Sequence, residues 1–182
     1  TVSSAYLMGD YVWDRWRVIA GVRMEKTEDE FTGKEVIFDQ SGDYLQTLDT
    51  EGGRNYSNYF PGLQAVYSAS NTLTLYTSWS KAVERPRYIY LAPFRRIIQR
   101  SQNIREGNPN LKPTVFTSLL AAADWAYDKS GFLSLELLRR ENEDIVVESQ
   151  TVVQEGQFKD FDLFTWDNVG VGIHTQAQLV WN

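Results

Sequence analysis

The sequence predicts an all-β fold: an antiparallel up-and-down meander of about seven strands, part of a transmembrane β-barrel. Three observations predict it. Apolar residues alternate with a period of two along several stretches. Pairs of these stretches are joined by tight turns, whereas the connections between pairs run to several times the usual median of about 4 to 6 residues. Aromatic residues gather beside the tight turns, where an interfacial girdle of a barrel sits. No stretch keeps the 3.6-residue period of a helix.

The first element is a hairpin over 3–26, with Ala5, Leu7, Gly9, Tyr11 and Trp13 on one face, a turn at Asp14-Arg15, and Trp16, Val18, Ala20, Val22 and Met24 on the return. Arg17, Ile19, Gly21, Arg23 and Glu25 take the opposite face. The second hairpin, 57–82, repeats the plan: Tyr59, Pro61, Leu63, Ala65 and Tyr67 lead to Ala69-Ser70-Asn71, and Leu73, Leu75, Thr77 and Trp79 return. In the third, 114–141, Leu119, Ala121, Ala123, Trp125 and Tyr127 run into a turn at 128–131, and Leu133, Leu135 and Leu137 come back. A last strand, 168–181, alternates Val169, Val171, Ile173 and Leu179 with Gly170, Gly172, His174 and Gln178, and no partner for it is legible. The long connections fall at about 27–56, 84–112 and 141–164. In a compact sandwich such lengths count against the element assignment; in an outer-membrane barrel, short turns on one rim and long loops on the other are the rule. Trp13, Trp16, Tyr67, Trp125 and Tyr127 all lie near the short turns.

Composition removes several classes of function. With 24 acidic against 18 basic residues the chain carries a formal charge of −6, so it lacks the basic footprint of a nucleic-acid-binding protein. There is no cysteine, which excludes disulfides, thiolate metal sites and thiol catalysis. No apolar run approaches the roughly 18 residues of a membrane helix, so a bilayer must be crossed by strands. Catalytic chemistry is equally absent. His174 is the only histidine and makes neither a triad nor a metal cage. The acidic segments DQSGD (39–43) and ENED (141–144) lack calcium-loop spacing and read as solvated loops. Asp124 and Glu136, on the polar face, have no site motif around them and are accounted for by a wet lumen. A β-structured enzyme therefore has no constellation to work with, and no cofactor is implied.

Two short motifs flank the second long connection: SWSKAVERP at 78–86 and GNPNLKP at 107–113. In that order, with a polar loop between and a long strand after, they resemble the barrel of TonB-dependent outer-membrane receptors. Ser80, Lys81, Arg85 and Pro86 match the first of the family's patterns, and Gly107, Asn108, Pro109, Leu111, Lys112 and Pro113 match the second. The stretches 58–81 and 131–149 are similar to the strands around them, so the likeness covers most of residues 5–150. It implies location in the bacterial outer membrane, contact with outer-membrane lipid, and uptake of a scarce solute (siderophore, cobalamin or glycan type) coupled through a plug to the TonB complex. Against the family's barrels of about 22 strands, residues 1–182 read as an incomplete segment: no plug, no TonB-contact segment and no terminal aromatic strand are visible. Two open strand edges then invite self-association.

The prolines of GNPNLKP fix two φ angles and hold the preceding residues extended, so the motif is expected to bring the chain back into the wall, with Pro113 just before the first ladder bonds of the next strand. The loops differ in charge. Segments 25–55 and 141–167 are acidic, while 85–112 hold Arg85, Arg87, Arg95, Arg96, Arg100, Arg105 and Lys112. Those cations either pair with the acidic loops or meet an anionic solute, with Tyr88, Tyr90, Arg95 and Arg96 as the candidate ligand-binding residues and sugar stacking on the tyrosines as a further use. A soluble antiparallel barrel that binds a small ligand is the alternative to the receptor. The face carrying Leu73, Leu75, Leu133 and Leu135 discriminates: outward, toward lipid, in a receptor; inward in a soluble barrel.

Overall fold

The computed structural model describes residues 1–127 and 131–182, and strands dominate it. A meander of β1 (Val2–Trp13), β2 (Trp16–Phe38), β3 (Tyr44–Ser68) and β4 (Leu73–Glu84) comes first. The one-turn helix α1 (Tyr88–Leu91), β5 (Arg95–Ile98), a 3-10 turn (Gln99–Ser101) and β6 (Asn103–Glu106) follow, and β7 (Thr114–Ala126), β8 (Phe132–Val152) and β9 (Asp162–Trp181) complete the order. The sheet has nine strands in the order β1-β2-β3-β4-β7-β8-β9-β6-β5. The two that periodicity did not reveal are β5 and β6, of 4 residues each, too short to display an alternation.

All three expected hairpins are present and antiparallel, and the last strand, which had no legible partner, pairs with β8 over Leu133–Val152. The turn expected at 128–131 lies, apart from Gly131, outside the described residues. Asp14 makes the first tight turn in the left-handed region (φ 49°). In the second, the Ser70 Oγ accepts hydrogen bonds from the amides of Thr72 (3.1 Å) and Leu73 (3.0 Å), the local bonding that makes serine a turn residue.

Register sorts the side chains into two faces. Trp13 stands opposite Trp16, Trp16 opposite Tyr67, Tyr67 opposite Leu75, and the row continues through Ala123, Leu135 and Leu179. Leu73, Trp125, Leu133 and Trp181 form the neighbouring row. The four discriminating leucines thus share one apolar face with the tryptophans, and most of its large side chains are solvent-exposed in the isolated chain. Trp16 and Tyr67 pack with ring centroids 4.6 Å apart, and Trp125 and Tyr127 at 5.6 Å, beside the short turns. The opposite face carries Asp10, Arg17, Arg23, Gln64, Ser78, Ser80, Ser118 and Arg140. One side is built for lipid and the other for water.

The connections expected over 27–56 and 141–164 are largely strand. β2 has 23 residues and β3 has 25, and they stay paired up to Phe38 and Tyr44; β8 and β9 run on likewise to Val152 and Asp162. A tilted membrane strand needs only about 9–11 residues, so the outer halves of these ladders project beyond the bilayer. There one face meets water and the other is covered by the segment between β4 and β7 largely through polar side chains, which erases the hydrophobic contrast that reveals a strand: Lys26, Glu28, Glu30 and Lys34 alternate with Thr27, Asp29 and Glu35, and only Phe31 and Ile37 keep an apolar trace. The remaining tip, 39–43, is a tight turn in which Asp39 Oδ1 accepts from the amides of Ser41 (2.8 Å) and Asp43 (2.9 Å), with Gly42 at φ 91°.

The wall divides on this side. β3 pairs with β4 only over Gly62–Ser68, and Pro61, which has no N–H to give, stands where that ladder stops. The segment between β4 and β7 folds into the division. β5 lies parallel to β2 (Glu35–Phe38) and β6 parallel to β9 (Asn103–Arg105), which departs from the all-antiparallel expectation because the insert returns beside strands that are not its sequence neighbours. The ladder then closes on itself from β2 through β3, β4, β7, β8, β9, β6 and β5 back to β2. Open edges remain along β1 and along β9 beyond Phe164, as expected.

Candidate functional site: the insert on the outer wall

The insert, 85–113, is held by contacts to the polar-face side of β2 and β3. At its start, Arg85 and Arg23 both pair with the buried carboxylate of Glu25. α1 ends at Leu91, two residues before Pro93, which cannot continue a helix and which sits on Gly33: a Cβ there would lie 2.7 Å from the Pro93 carbonyl. Two apolar clusters follow. Leu91 and Leu111 bury Phe31, with Tyr90, Val146 and Trp166 around them, and Ile97 and Ile104, both 0% exposed, bury Ile37 against Val153, Phe158, Phe161 and Leu163. Burying such side chains contributes roughly 1.5–3 kcal/mol each. The insert is therefore a packed element and not a free rim loop.

GNPNLKP closes it. Gly107 is required because an added Cβ would meet the Ala92 carbonyl oxygen at 2.0 Å. Asn108 accepts from the Asn110 amide (3.0 Å), its own carbonyl accepts from the Leu111 amide (3.3 Å), and Pro109 occupies the second position of that turn, where its fixed φ fits. The Asn108 side chain donates to the Trp166 carbonyl (2.9 Å), and Arg54, paired with Asp29 at 3.0 Å, donates to the Leu111 carbonyl at 2.7 Å. Lys112 has no strand beside it. Asn168 replaces one: its Oδ1 accepts from the Lys112 amide (2.7 Å) and its Nδ2 donates to the Lys112 carbonyl (3.0 Å) and to the Asp144 carbonyl (2.8 Å). Pro113 then precedes Thr114, the first residue of β7, and costs the ladder no bond. Lys81 stays in the wall, opposite Thr117, and Ser80 is opposite Ser118 on the polar face.

A wall with one lipid-ready face, strands longer than a membrane crossing needs and an insert on the polar side describe part of a transmembrane barrel. The chain belongs to the outer membrane protein beta-barrel family, whose model matches residues 1–182. This family sits in the bacterial outer membrane. Among solved structures the barrel segment is similar to the Serratia marcescens hemophore receptor HasR (12% identity, TM-score 0.62, covering 100% of this chain and 32% of that one). It is similar also to the siderophore receptor PirA from Acinetobacter baumannii (15%, 0.65, 99% and 25%) and to the copper transporter OprC (15%, 0.66, 97% and 26%). At such identities the likeness is one of fold, and it agrees with the resemblance carried by the two motifs. Two of these neighbours are receptors and one is a transporter. The chain spans about a third or less of their lengths. No curated protein matches it.

Within this barrel segment the four candidate ligand residues do not converge. Tyr88 is 76% exposed, whereas Tyr90 stacks on Trp166 at 4.6 Å. Arg95 is paired with Glu35 (3.6 Å) and Glu106 (3.2 Å). Arg96, its neighbour, points to the other side of the β5–β6 ribbon and lies over the Phe38 ring at 5.3 Å. Arg85 and Arg95 thus pair with acidic residues of the wall and insert, while Arg87 and Arg105 lie over the rings of Tyr90 and Phe164. Burial pushes the Glu106 carboxyl up, Arg95 opposes that, and Glu35 adds to it. Among the described residues no cluster of acidic or histidine side chains suits a metal. Arg54, Asn168 and Gly33 escaped sequence reasoning because each acts on a segment distant in the chain. Of the three, Gly33 alone carries a local signal, a glycine inside a strand, which marks sites where another backbone comes close.

Proposed function

We propose that this chain is the wall of an outer-membrane active-transport receptor, an incomplete barrel segment of a longer protein whose plug and remaining strands lie outside residues 1–182. The receptor binds a scarce solute of siderophore, cobalamin or glycan type at its outer loops and imports it with energy from the TonB complex. The observation that carries this reading is the placement of Leu73, Leu75, Leu133 and Leu135 on the tryptophan face while the insert occupies the polar side. A soluble barrel would need those leucines inside. The motif residues, on this reading, serve to seat the insert, and Tyr88, Tyr90, Arg95 and Arg96 belong to the outer surface a solute meets.

The test is uptake by cells carrying the full-length parent gene. Accumulation of the solute should require both the receptor and a working TonB complex, and deletion of 87–106 should abolish binding while leaving the barrel in the outer membrane. Uptake that persists without TonB would reduce the protein to a passive channel and overturn the proposal.

A further inference from the structure

We propose that Arg96 and Arg105 form a binding site for a multivalent oxyanion, a carboxylate- or phosphate-bearing solute, on the exposed side of the β5–β6 ribbon. The inference rests on the receptor reading above and narrows its solute class.

Register places the two arginines directly opposite each other across an antiparallel pair. Like charges in that position destabilise a ladder unless something neutralises them. The adjacent pair shows what neutralisation looks like: Arg95, on the other side of the ribbon, faces Glu106 and is also within 3.6 Å of Glu35. Arg96 and Arg105 are both exposed, and among the described residues neither has a carboxylate within ion-pair distance. Glu106 and Glu35 are taken up by Arg95 on the other side of the ribbon, and Asp162, opposite Asn103, bridges to neither Arg96 nor Arg105.

The flanking residues hold the pair in place. Phe38 on β2 lies under Arg96 at 5.3 Å and Phe164 on β9 under Arg105 at 5.1 Å. A ring against the face of a guanidinium leaves its N–H edges free, and those edges match carboxylate and phosphate oxygens two at a time. The arrangement is two stacked forks side by side with no internal counterion. A neutral solute would leave that repulsion uncompensated, whereas a polyanion removes it on binding. The ribbon itself is fixed by the Ile97–Ile104 cluster beneath, so the forks need little ordering when a ligand arrives.

The experiment titrates the full-length parent protein in detergent with citrate and with pyrophosphate, at low and near-physiological salt, and repeats this for Arg96→Gln/Arg105→Gln, Arg96→Lys/Arg105→Lys and Arg100→Gln. The wild type should bind both anions more weakly as salt rises. The glutamine pair should weaken binding at least about tenfold, the lysine pair should restore charge without the fork and fall between, and Arg100→Gln should match wild type. Absence of citrate and pyrophosphate binding in the wild type, or equal affinity in the glutamine pair, overturns the site. Loss of binding when detergent is replaced by a lipopolysaccharide bilayer would assign the arginines to lipid phosphate and overturn the solute reading. TonB-independent uptake with anion binding intact would instead strike only the receptor proposal.

Discussion

Arg54 shows how one side chain joins distant parts of this wall. Its guanidinium and the Asp29 carboxylate are only 12% and 11% exposed, and the same group holds the Leu111 carbonyl. Removing one member of a largely buried pair strands the other charge, so Arg54→Met should cost the packed insert about 3 kcal/mol, read as faster amide exchange at Leu111; unchanged exchange would show the pair to be ornamental. Glu106 supplies a pH dependence. Its folded pKa is raised, so between the unfolded and folded values the folded state holds more protons. Stability of the insert therefore falls as pH rises through that window and recovers as pH drops below the ordinary carboxylate range. Protection at Ile97 and Ile104, taken relative to the intrinsic exchange rate at each pH, should rise on mild acidification in the wild type and lose that response in Glu106→Gln. Motif residues such as Gly107 were legible because glycine and proline constrain the chain locally. Arg54 was not, because its partners lie 25 and 57 residues away in sequence.

At the scale of elements, the insert is a mortise between two strands, and GNPNLKP is its last joint. Replacing Pro109 and Pro113 together by alanine should free the returning chain without touching β7, whose ladder starts at Thr114. Spin labels at residue 110 should then report greater mobility while labels on β7 do not change; equal mobility at both sites before and after would remove the prolines from this role. Strand cores were readable wherever one face is dry, as in 3–26 and 114–126. The outer halves of β2, β3, β8 and β9 were not, because one face meets water and the other meets the insert in good part through polar side chains such as Glu25 and Arg54, so hydrophobicity does not alternate along them.

For the whole molecule, two edges and two ends decide behaviour. The edges along β1 and the lower part of β9 present unpaired backbone, so residues 1–182 expressed alone in detergent should associate through them, whereas the full-length parent should not. Monodisperse monomer from the isolated segment would show that these edges protect themselves. In intact cells, added protease should cut within 27–56 or 84–106, foremost at the exposed turn 39–43, and leave Asp14-Arg15 untouched. Cleavage confined to the short turns would reverse the orientation.

The sequence by itself determined the class of this protein. Period-two alternation in hairpins 3–26, 57–82 and 114–141, the tryptophans at the tight turns and the two proline-bearing motifs are all local patterns, and a strand between lipid and water must write its two faces into neighbouring residues. Only the tertiary structure decided where the second long connection goes: that β5 pairs with β2 and β6 with β9, that Asn168 acts as a strand for Lys112, and that Arg96 finds Arg105 and not Arg95 at its side. Such partners are set by packing across the barrel wall. No spacing along a single chain encodes a contact whose two halves are joined only when the sheet closes.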